Sequence, residues 1–561
     1  MHLSLIRLLT FIALFLSVNL SAQQLVLKAK GISARQTQII DSLGYNPKHA
    51  DLKSIQTEVS RLSDQLIRNG FLANQLLSSQ QLNDTIFQYT FDLHNKTNHI
   101  LLYIDPSLAV QKLAFPDAKS NKTLSNPLQI ETLLSSGLAQ LERNGYSLAK
   151  ISLTDLNHSA DTLIAKLQID PGRQRQLNDI VINGYDKFPK GHRKNLLRRF
   201  KNRTFSNETL LEIESEFKKL RFVNQTRNPE ILFKSDTTKV YMYLEKAKPN
   251  RFEGFVGFAN DDSEKLTFSG YVDLTLVNFL NAGEDLTIYW KSDGQDQKTF
   301  NAELQLPFIF STPLALRGKI NIFKQDSTFQ NTRTELGLGY FASYNSRFYL
   351  NYETTESSDI QNQDQSQLSD FDNQFVSAQF QYDNAWTHPI FREKSAIDIK
   401  IGLGKRTSKI EDQNQQFVQA NLMHTFELNS RNQINLRSQN YMLNSDRFLI
   451  SELHRFGGIN SFRGFTENSL QANMLTSLLT EYRFIPTNGL YIHSILDLGY
   501  YADETQQQSE LQSSKLFGFG FGIGLLTRNG LLNLIYANGS MDEQAIRTAN
   551  SIVQISFKST F

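Results

Sequence analysis

From Pro249 onward the chain stops following helical spacing and begins to alternate. Segments of roughly ten residues carry apolar side chains at every second position, and Asn, Gly, Asp, Ser and Pro separate them. Examples are Lys265 to Leu276, Asp285 to Trp290, Thr299 to Leu306, Leu314 to Phe323, Thr334 to Tyr340, Arg347 to Tyr352 and Phe375 to Tyr382. Ala396 to Leu403, Phe417 to Phe426 and Ile434 to Leu443 continue the series, and five more follow the Gly457-Gly458 region. With Phe252 to Phe258 at the start, the total is about 16, an even number within the range of bacterial barrels. In lipid only helices and closed barrels satisfy every backbone polar group. No segment of the mature chain approaches the roughly 20 consecutive apolar residues of a membrane helix. The alternation therefore predicts an antiparallel transmembrane β-barrel over 250–561, with Glu356 to Asp370 and Asp503 to Ser514 as long polar loops.

The clearest strand is Leu516 to Leu525. Phe517, Phe519, Phe521, Ile523 and Leu525 fall on one face, and Gly518, Gly520, Gly522 and Gly524 on the other. The aromatic face is expected toward lipid and the glycine stripe toward the lumen, where something packs closely against it. A phosphate loop is the other reading of spaced glycines, but no helix opens after these. The C-terminal strand carries Val553, Ile555 and Phe557 at alternate positions and ends on Phe561, a pattern that resembles the C-terminal signal barrels show to their assembly machinery.

The N-terminus fits an exported chain. Arg7 precedes the short apolar run Leu8 to Val18, and Ser21-Ala22 closes it, which predicts a signal peptide over 1–22. The absence of cysteine excludes disulfides, thiolate metal sites and cysteine nucleophiles. With 58 Lys+Arg against 56 Asp+Glu, the charge balance gives no reason to expect a nucleic-acid partner.

Before Pro249 the period is that of helices and strands together. Asp51 to Gly70 is helical, with Leu52, Ile55, Val59, Leu62 and Leu66 on one face, and Thr85 to Leu93 reads as a strand. Ile130 to Tyr146 repeats the helix, followed by strands at Ile151 to Leu156 and Thr162 to Asp170. A third round has a strand at Asp179 to Asn183 and helices at Lys194 to Phe200 and Asn207 to Phe222. Strands at Ile231 to Lys234 and Val240 to Glu245 complete it. A strand–helix–helix–strand–strand unit thus recurs about three times at a period of roughly 75 residues. Within the third, Arg193, Lys194, Arg198, Arg199, Lys201 and Arg203 form a basic stretch with two readings, a face for lipid headgroups or a partner and, the blander one, a solvated helix face.

The most specific stretch is Arg455-Phe-Gly-Gly-Ile-Asn-Ser-Phe-Arg-Gly-Phe465. It resembles the inward-folded loop of the BamA/TamA superfamily, the bacterial surface antigen family, through Gly457, Gly458, Arg463, Gly464 and Phe465. Leu479-Thr-Glu481-Tyr-Arg-Phe484 and Ile495-Leu-Asp497-Leu-Gly499 resemble the strands that follow it there. Ile169-Asp-Pro-Gly172 before Ile180-Val-Ile-Asn-Gly184 resembles a POTRA-to-POTRA junction. The resemblance implies α+β periplasmic POTRA repeats followed by a transmembrane antiparallel β-barrel of about 16 strands. Its units are 23–100, 101–174, 175–249 and the barrel at 250–561, with the inward loop near 455–468. It also implies that Arg463 pairs with Asp497 and Glu481 on the wall, with Gly464 allowing close approach and Phe465 anchoring the loop.

No active site is legible. His454, His493, Ser494 and Asp497 lie near one another in sequence, but no Gly-x-Ser-x-Gly elbow or His-x-x-x-His spacing accompanies them. The expectation is therefore a non-enzymatic protein without cofactor or metal, placed in the bacterial outer membrane with its arm in the periplasm. By resemblance its partners are outer-membrane lipids, unfolded outer-membrane protein clients or a secreted polypeptide, and periplasmic or lipoprotein subunits at the arm. The implied role is outer-membrane protein assembly or insertion, through the POTRA units and a lateral barrel seam. The alternative is transport of a polypeptide across the outer membrane, as in two-partner secretion.

Overall fold

The computed structural model describes residues 24–561 except 106, 118–120, 261–265, 293–296, 327, 361–367, 387, 389, 392, 506–511, 529, 543 and 548–550. The expected signal peptide at 1–22 lies outside the described residues. The chain divides into two compact units. The first comprises the residues up to Gln176 together with Arg203–Thr209, and the second comprises Leu177–Asn202 and Leu210–Phe561.

The first unit holds two α+β modules of one topology. In the first module, strands β1 (Leu25–Gly31), β2 (Lys48–His49), β3 (Gln75–Gln81) and β4 (Ile86–Asp92) form a sheet of order β2-β1-β4-β3. Helices α1 (Ala34–Leu43) and α2 (Leu52–Arg68) accompany it. Asp51 starts α2 by accepting the Ser54 N–H at 2.7 Å in a capping box. Ile55, Val59, Leu62 and Leu66 recur every three or four residues and are buried against Leu27, Ala29 and Phe91 of the sheet. The second module repeats the plan with β5 (His99–Tyr103), α3 (Ala109–Ala114), β6 (Lys122–Ser125), α4 (Pro127–Arg143), β7 (Lys150–Ser159) and β8 (Thr162–Asp170). Its sheet order is β6-β5-β8-β7. In both modules the first long strand runs parallel to the last.

The third module lies mostly in the second unit. It has β9 (Leu177–Asn183), α5 (Lys190–Phe200), α6 (Asn207–Lys218), β10 (Val223–Phe233) and β11 (Thr238–Lys246), with sheet order β10-β11-β9 and β9 parallel to β11.

The module border expected at 100/101 needs correction, because it falls inside β5. The Thr97 N–H donates back to Gly70 O at 2.8 Å, whereas the Asn98 N–H donates forward to Asp161 O at 2.8 Å. The border is therefore between Thr97 and Asn98. The border at 174/175 moves as well, since Arg175 N–H donates to Gly145 O at 2.8 Å within the first unit.

Sixteen antiparallel strands close into a barrel. They are β12 (Arg251–Asn260), β13 (Leu266–Val277), β14 (Asp285–Ser292), β15 (Gln297–Leu306), β16 (Leu314–Gln325), β17 (Phe329–Phe341), β18 (Ser346–Asp359) and β19 (Phe371–Ala385). They continue with β20 (Glu393–Ser408), β21 (Gln413–Asn429) and β22 (Asn432–Asn444). A short hairpin, β23 (His454–Phe456) with β24 (Leu470–Ala472), stands apart from the wall. Then come β25 (Met474–Thr487), β26 (Leu490–Asp503), β27 (Gln512–Thr527), β28 (Gly530–Met541) and β29 (Ile552–Thr560). Glu356 to Asp359, expected in a loop, continue β18, and Gln512 to Ser514 open β27. Both faces are polar there, so the alternation that marks the lipid-facing part of a strand is lost while the ladder goes on.

Closure is uneven. β12 pairs with β13 over ten residues, from Arg251↔Thr275 to Asn260↔Leu266. Among the described residues it pairs with β29 at two positions, Arg251↔Thr560 and Phe252↔Ser559. The Phe561 N–H to Asn250 O at 3.1 Å and the Lys558–Glu253 ion pair at 3.5 Å add to this seam. The third module meets the barrel at the rim where β12 begins. Asn278 donates to the Tyr185 hydroxyl at 2.7 Å, Arg221 pairs with Asp285 at 2.6 Å, and His192 packs edge-on against Phe308 at 4.6 Å.

Candidate functional site: a loop pinned inside the barrel

The link between β22 and β25 folds back into the barrel and carries the motif. Gly457, Gly458 and Gly464 all have positive φ, at 104°, 94° and 91°. The Gly458 N–H donates to Phe465 O at 2.9 Å and closes the tip. Gly464 needs its glycine twice over. Its φ is left-handed, and an added Cβ would lie 2.4 Å from the Asn538 backbone of β28.

Arg463 follows from this geometry. Its Nε donates to Asp497 Oδ2 at 2.8 Å, a terminal nitrogen donates to Oδ1 at 2.5 Å, and its backbone N–H donates to Oδ2 at 3.1 Å. Its other terminal nitrogen bonds Glu481. Glu481 is held in turn by Arg483 at 2.6 Å. Arg463 is 2% exposed and Asp497 0%. Burial of this kind is tolerable only because every charge is matched and the guanidinium fork meets its carboxylate in two places. The wall adapts too. The β25–β26 pairing runs to Thr480↔Leu496 and resumes at Arg483↔His493. At the edge of this gap the Thr480 carbonyl accepts Arg463 at 3.2 Å, while the Thr480 hydroxyl donates to Leu496 O at 2.6 Å.

Phe465 and Phe462 flank the arginine with ring centroids 5.7 Å apart. Phe462 is 1% exposed and belongs to a cluster with Phe456, Ala472, Leu475, Leu479 and Leu516. Of the glycine stripe, Gly518 takes the loop: a Cβ there would lie 2.4 Å from Arg463 O. Gly520 packs against the β28 backbone, and Gly522 and Gly524 make room for the rings of His493 and Tyr491. The stripe thus receives the loop at one end and β26 side chains at the other. Val553, Ile555 and Phe557 face outward from β29 at 63%, 69% and 43% exposure, away from the loop. Phe561 is also exposed.

Several anchors have no motif. Glu467, three residues past Gly464, reaches β14, where it pairs with Lys291 and accepts from the Tyr289 hydroxyl at 2.9 Å. The loop therefore contacts β28 on one side of the seam and β14 on the other. At the loop's start Glu452 pairs with Arg406 of β20 at 2.5 Å, both side chains 1% exposed. On the opposite wall Arg317 pairs with Glu335 at 2.9 Å, and Lys400 bridges Glu335 and Glu353, each at 2.7 Å. The sequence signal for Arg317 was present: it sits between outward Leu316 and Gly318 and so had to point inward. A cavity of about 1630 Å³ opens at the arm-side mouth, lined by Arg221, Asp285, Arg437, Glu481 and Arg483 among others.

His454, His493 and Ser494, near one another in sequence, point different ways. His493 and Ser494 alternate, so one faces the lumen and the other outward, and His454 stacks on Tyr441 at 4.6 Å.

The fold and the pinned loop define a closed sixteen-stranded barrel preceded by α+β modules. No family model and no curated protein matches the sequence. Solved structures do. CdiB from Acinetobacter baumannii is 13% identical with a TM-score of 0.51, covering 91% of this chain and 97% of its own. CdiB from Escherichia coli is 13% identical at 0.51, covering 91% and 98%. BamA from Haemophilus ducreyi lacking POTRA domains 1–3 is 16% identical at 0.49, covering 81% and 96%. The chain shares the fold of the two CdiB structures, a closed sixteen-stranded barrel preceded by α+β modules.

Proposed function

We propose that the chain sits in the bacterial outer membrane and assembles or inserts other outer-membrane proteins, acting through a barrel seam that opens sideways. The observation that carries this reading is the asymmetry of closure. Among the described residues the seam has two backbone pairs where the neighbouring interface has ten. An edge freed at β12 or β29 is a template onto which an extended client strand adds by backbone hydrogen bonding. The pinned loop suits such a barrel. It ties β25 and β26 to β28 and, through Glu467, to β14, so that a weakly closed wall keeps its shape while the strands between are free to part. The three arm modules each leave sheet edges at which a client is held before insertion.

The second reading is transport of a polypeptide through the lumen. The likeness to the two CdiB structures and the polar cavity at the arm-side mouth favour it.

Charge exchange separates the two. Arg463→Glu and Asp497→Arg are each expected to impair heat-modifiable folding of this barrel and to lower the levels of other outer-membrane barrels. The double exchange is expected to restore part of both. Normal levels of other barrels in cells whose own copy is misfolded would reject the assembly role and leave transport of a dedicated polypeptide.

A further inference from the structure

The basic stretch of the third module is absorbed by neither reading. Residues 187–207 contain eight Lys or Arg and no Asp or Glu. Six of these cations, Lys190, Arg193, Lys194, Arg198, Arg199 and Lys201, lie on or beside α5 and are exposed. Three are engaged: Arg199 pairs with Glu216 at 2.9 Å, Arg193 lies 3.9 Å from Asp179, and Arg198 donates to Ser311 O at 3.1 Å. Lys190, Lys194 and Lys201 fall within one narrow stripe of the helix surface by their spacing of four and seven.

What gives the stripe meaning is its place. α5 is fixed to the barrel rim, at the turn that joins β15 to β16. Asn195 donates to Thr312 O at 3.2 Å, and a Cβ at Gly191 would lie 3.1 Å from Phe308. Above this turn the barrel's outer face is apolar, with Leu304, Leu316 and Ile320 exposed. The turn itself is strained. Phe308, Phe310 and Ser311 have φ of 53°, 52° and 57°, a conformation costly for residues with a side chain. Its effect is to hold the Phe310 ring outward at 91% exposure, directly below the apolar band. An aromatic at the foot of a barrel's apolar wall stands at headgroup depth. A lysine stripe beside it stands where phosphates are.

We infer that α5 and Phe310 form a binding surface for anionic phospholipid headgroups of the leaflet on the arm side, with the lysine stripe meeting phosphate and Phe310 entering the interface. The inference rests on the membrane placement proposed above. It would fix the height and tilt of the third module against the bilayer, and so the approach of anything the arm delivers to the seam.

The test uses the full chain, purified in an uncharged detergent and titrated with phosphatidylglycerol or phosphatidylcholine, with retained lipid read by native mass spectrometry. Wild type should retain phosphatidylglycerol over phosphatidylcholine, and the preference should fall as salt rises. The triple variant Lys190→Gln, Lys194→Gln, Lys201→Gln changes no side chain with a structural partner described above. Each lysine is worth about fivefold in headgroup affinity, so the triple variant should lose well over tenfold for phosphatidylglycerol and nothing for phosphatidylcholine. Lys194→Gln alone should show the smaller step. Phe310→Ser should weaken both lipids alike. Heat-modifiable migration reports separately whether the barrel stays folded, and co-fractionation with outer membranes reports whether its membrane placement survives. A folded triple variant with unchanged phosphatidylglycerol retention would overturn the inference. So would a loss of cross-links to a periplasmic protein without any change in lipid, which would assign the face to a protein partner.

Discussion

At the scale of single residues, Arg463 lies buried between two carboxylates, Asp497 and Glu481. Arg463→Ala would leave Asp497 buried and unmatched, and removing one partner of such a pair typically costs about 3–5 kcal/mol. The expected outcome is a markedly lower temperature for loss of the compact, heat-modifiable form. Arg463→Lys keeps the charge but not the fork, so it should recover only part of the loss. Equal stability of the lysine variant and wild type would show that the bidentate geometry to Asp497 is unimportant. Gly464→Ala meets both a left-handed φ and the Asn538 backbone, and should destabilise the loop by about 1–3 kcal/mol. The check is protease cleavage within 455–468 while the barrel stays folded. The motif residues themselves were legible because glycines, an arginine and an aromatic at fixed spacing carry a recognisable pattern. Glu452, Glu467 and Arg406 were not. Alternation tells which side chains point inward, but not which inward residues of distant strands meet, since that depends on barrel stagger and on the path of the loop.

At the scale of elements, the docking of α5 on the rim depends on a buried, uncharged histidine. His192 is 1% exposed, lies among Phe222, Phe308 and Tyr344, and has no hydrogen-bond partner on either ring nitrogen among the described residues. Burial pushes its pKa down to about 3, from an ordinary value of 6.5. Between these values the unfolded chain takes up a proton that the folded one refuses. Stability is therefore full above about pH 6.5 and falls as pH drops toward 3, by at most about 1.4 kcal/mol per pH unit. Thermal unfolding of the purified chain between neutral and mildly acidic pH should show this slope, and His192→Leu should flatten it. An unchanged slope in that variant would place the titration elsewhere. Element types were readable where one face is long and apolar, as in α2 with Ile55, Val59, Leu62 and Leu66. α1 has no apolar stripe of this kind, since Ile40 is its one buried residue. β10 is legible at its C-terminal end only, since its first half, from Val223 to Pro229, has irregular register and mixed polarity.

At the scale of the whole chain, the number and direction of barrel strands follow from alternation and turn residues alone, because a lipid-facing band enforces period two on every strand. The closing pair is different. β12 and β29 lie at opposite ends of the barrel sequence, and nothing in either strand says how many residues they share. Among the described residues the structure shows two paired positions, and the proposed mechanism depends on that short seam. The most direct test locks the seam. The chain has no cysteine, so Phe252→Cys with Ser559→Cys places a single pair at one of the two seam positions. Oxidised in cells, this variant should lose assembly of other outer-membrane barrels and regain it on reduction, while its own barrel stays folded and each single cysteine variant behaves as wild type. Full assembly by the completely cross-linked form would contradict sideways opening at this seam.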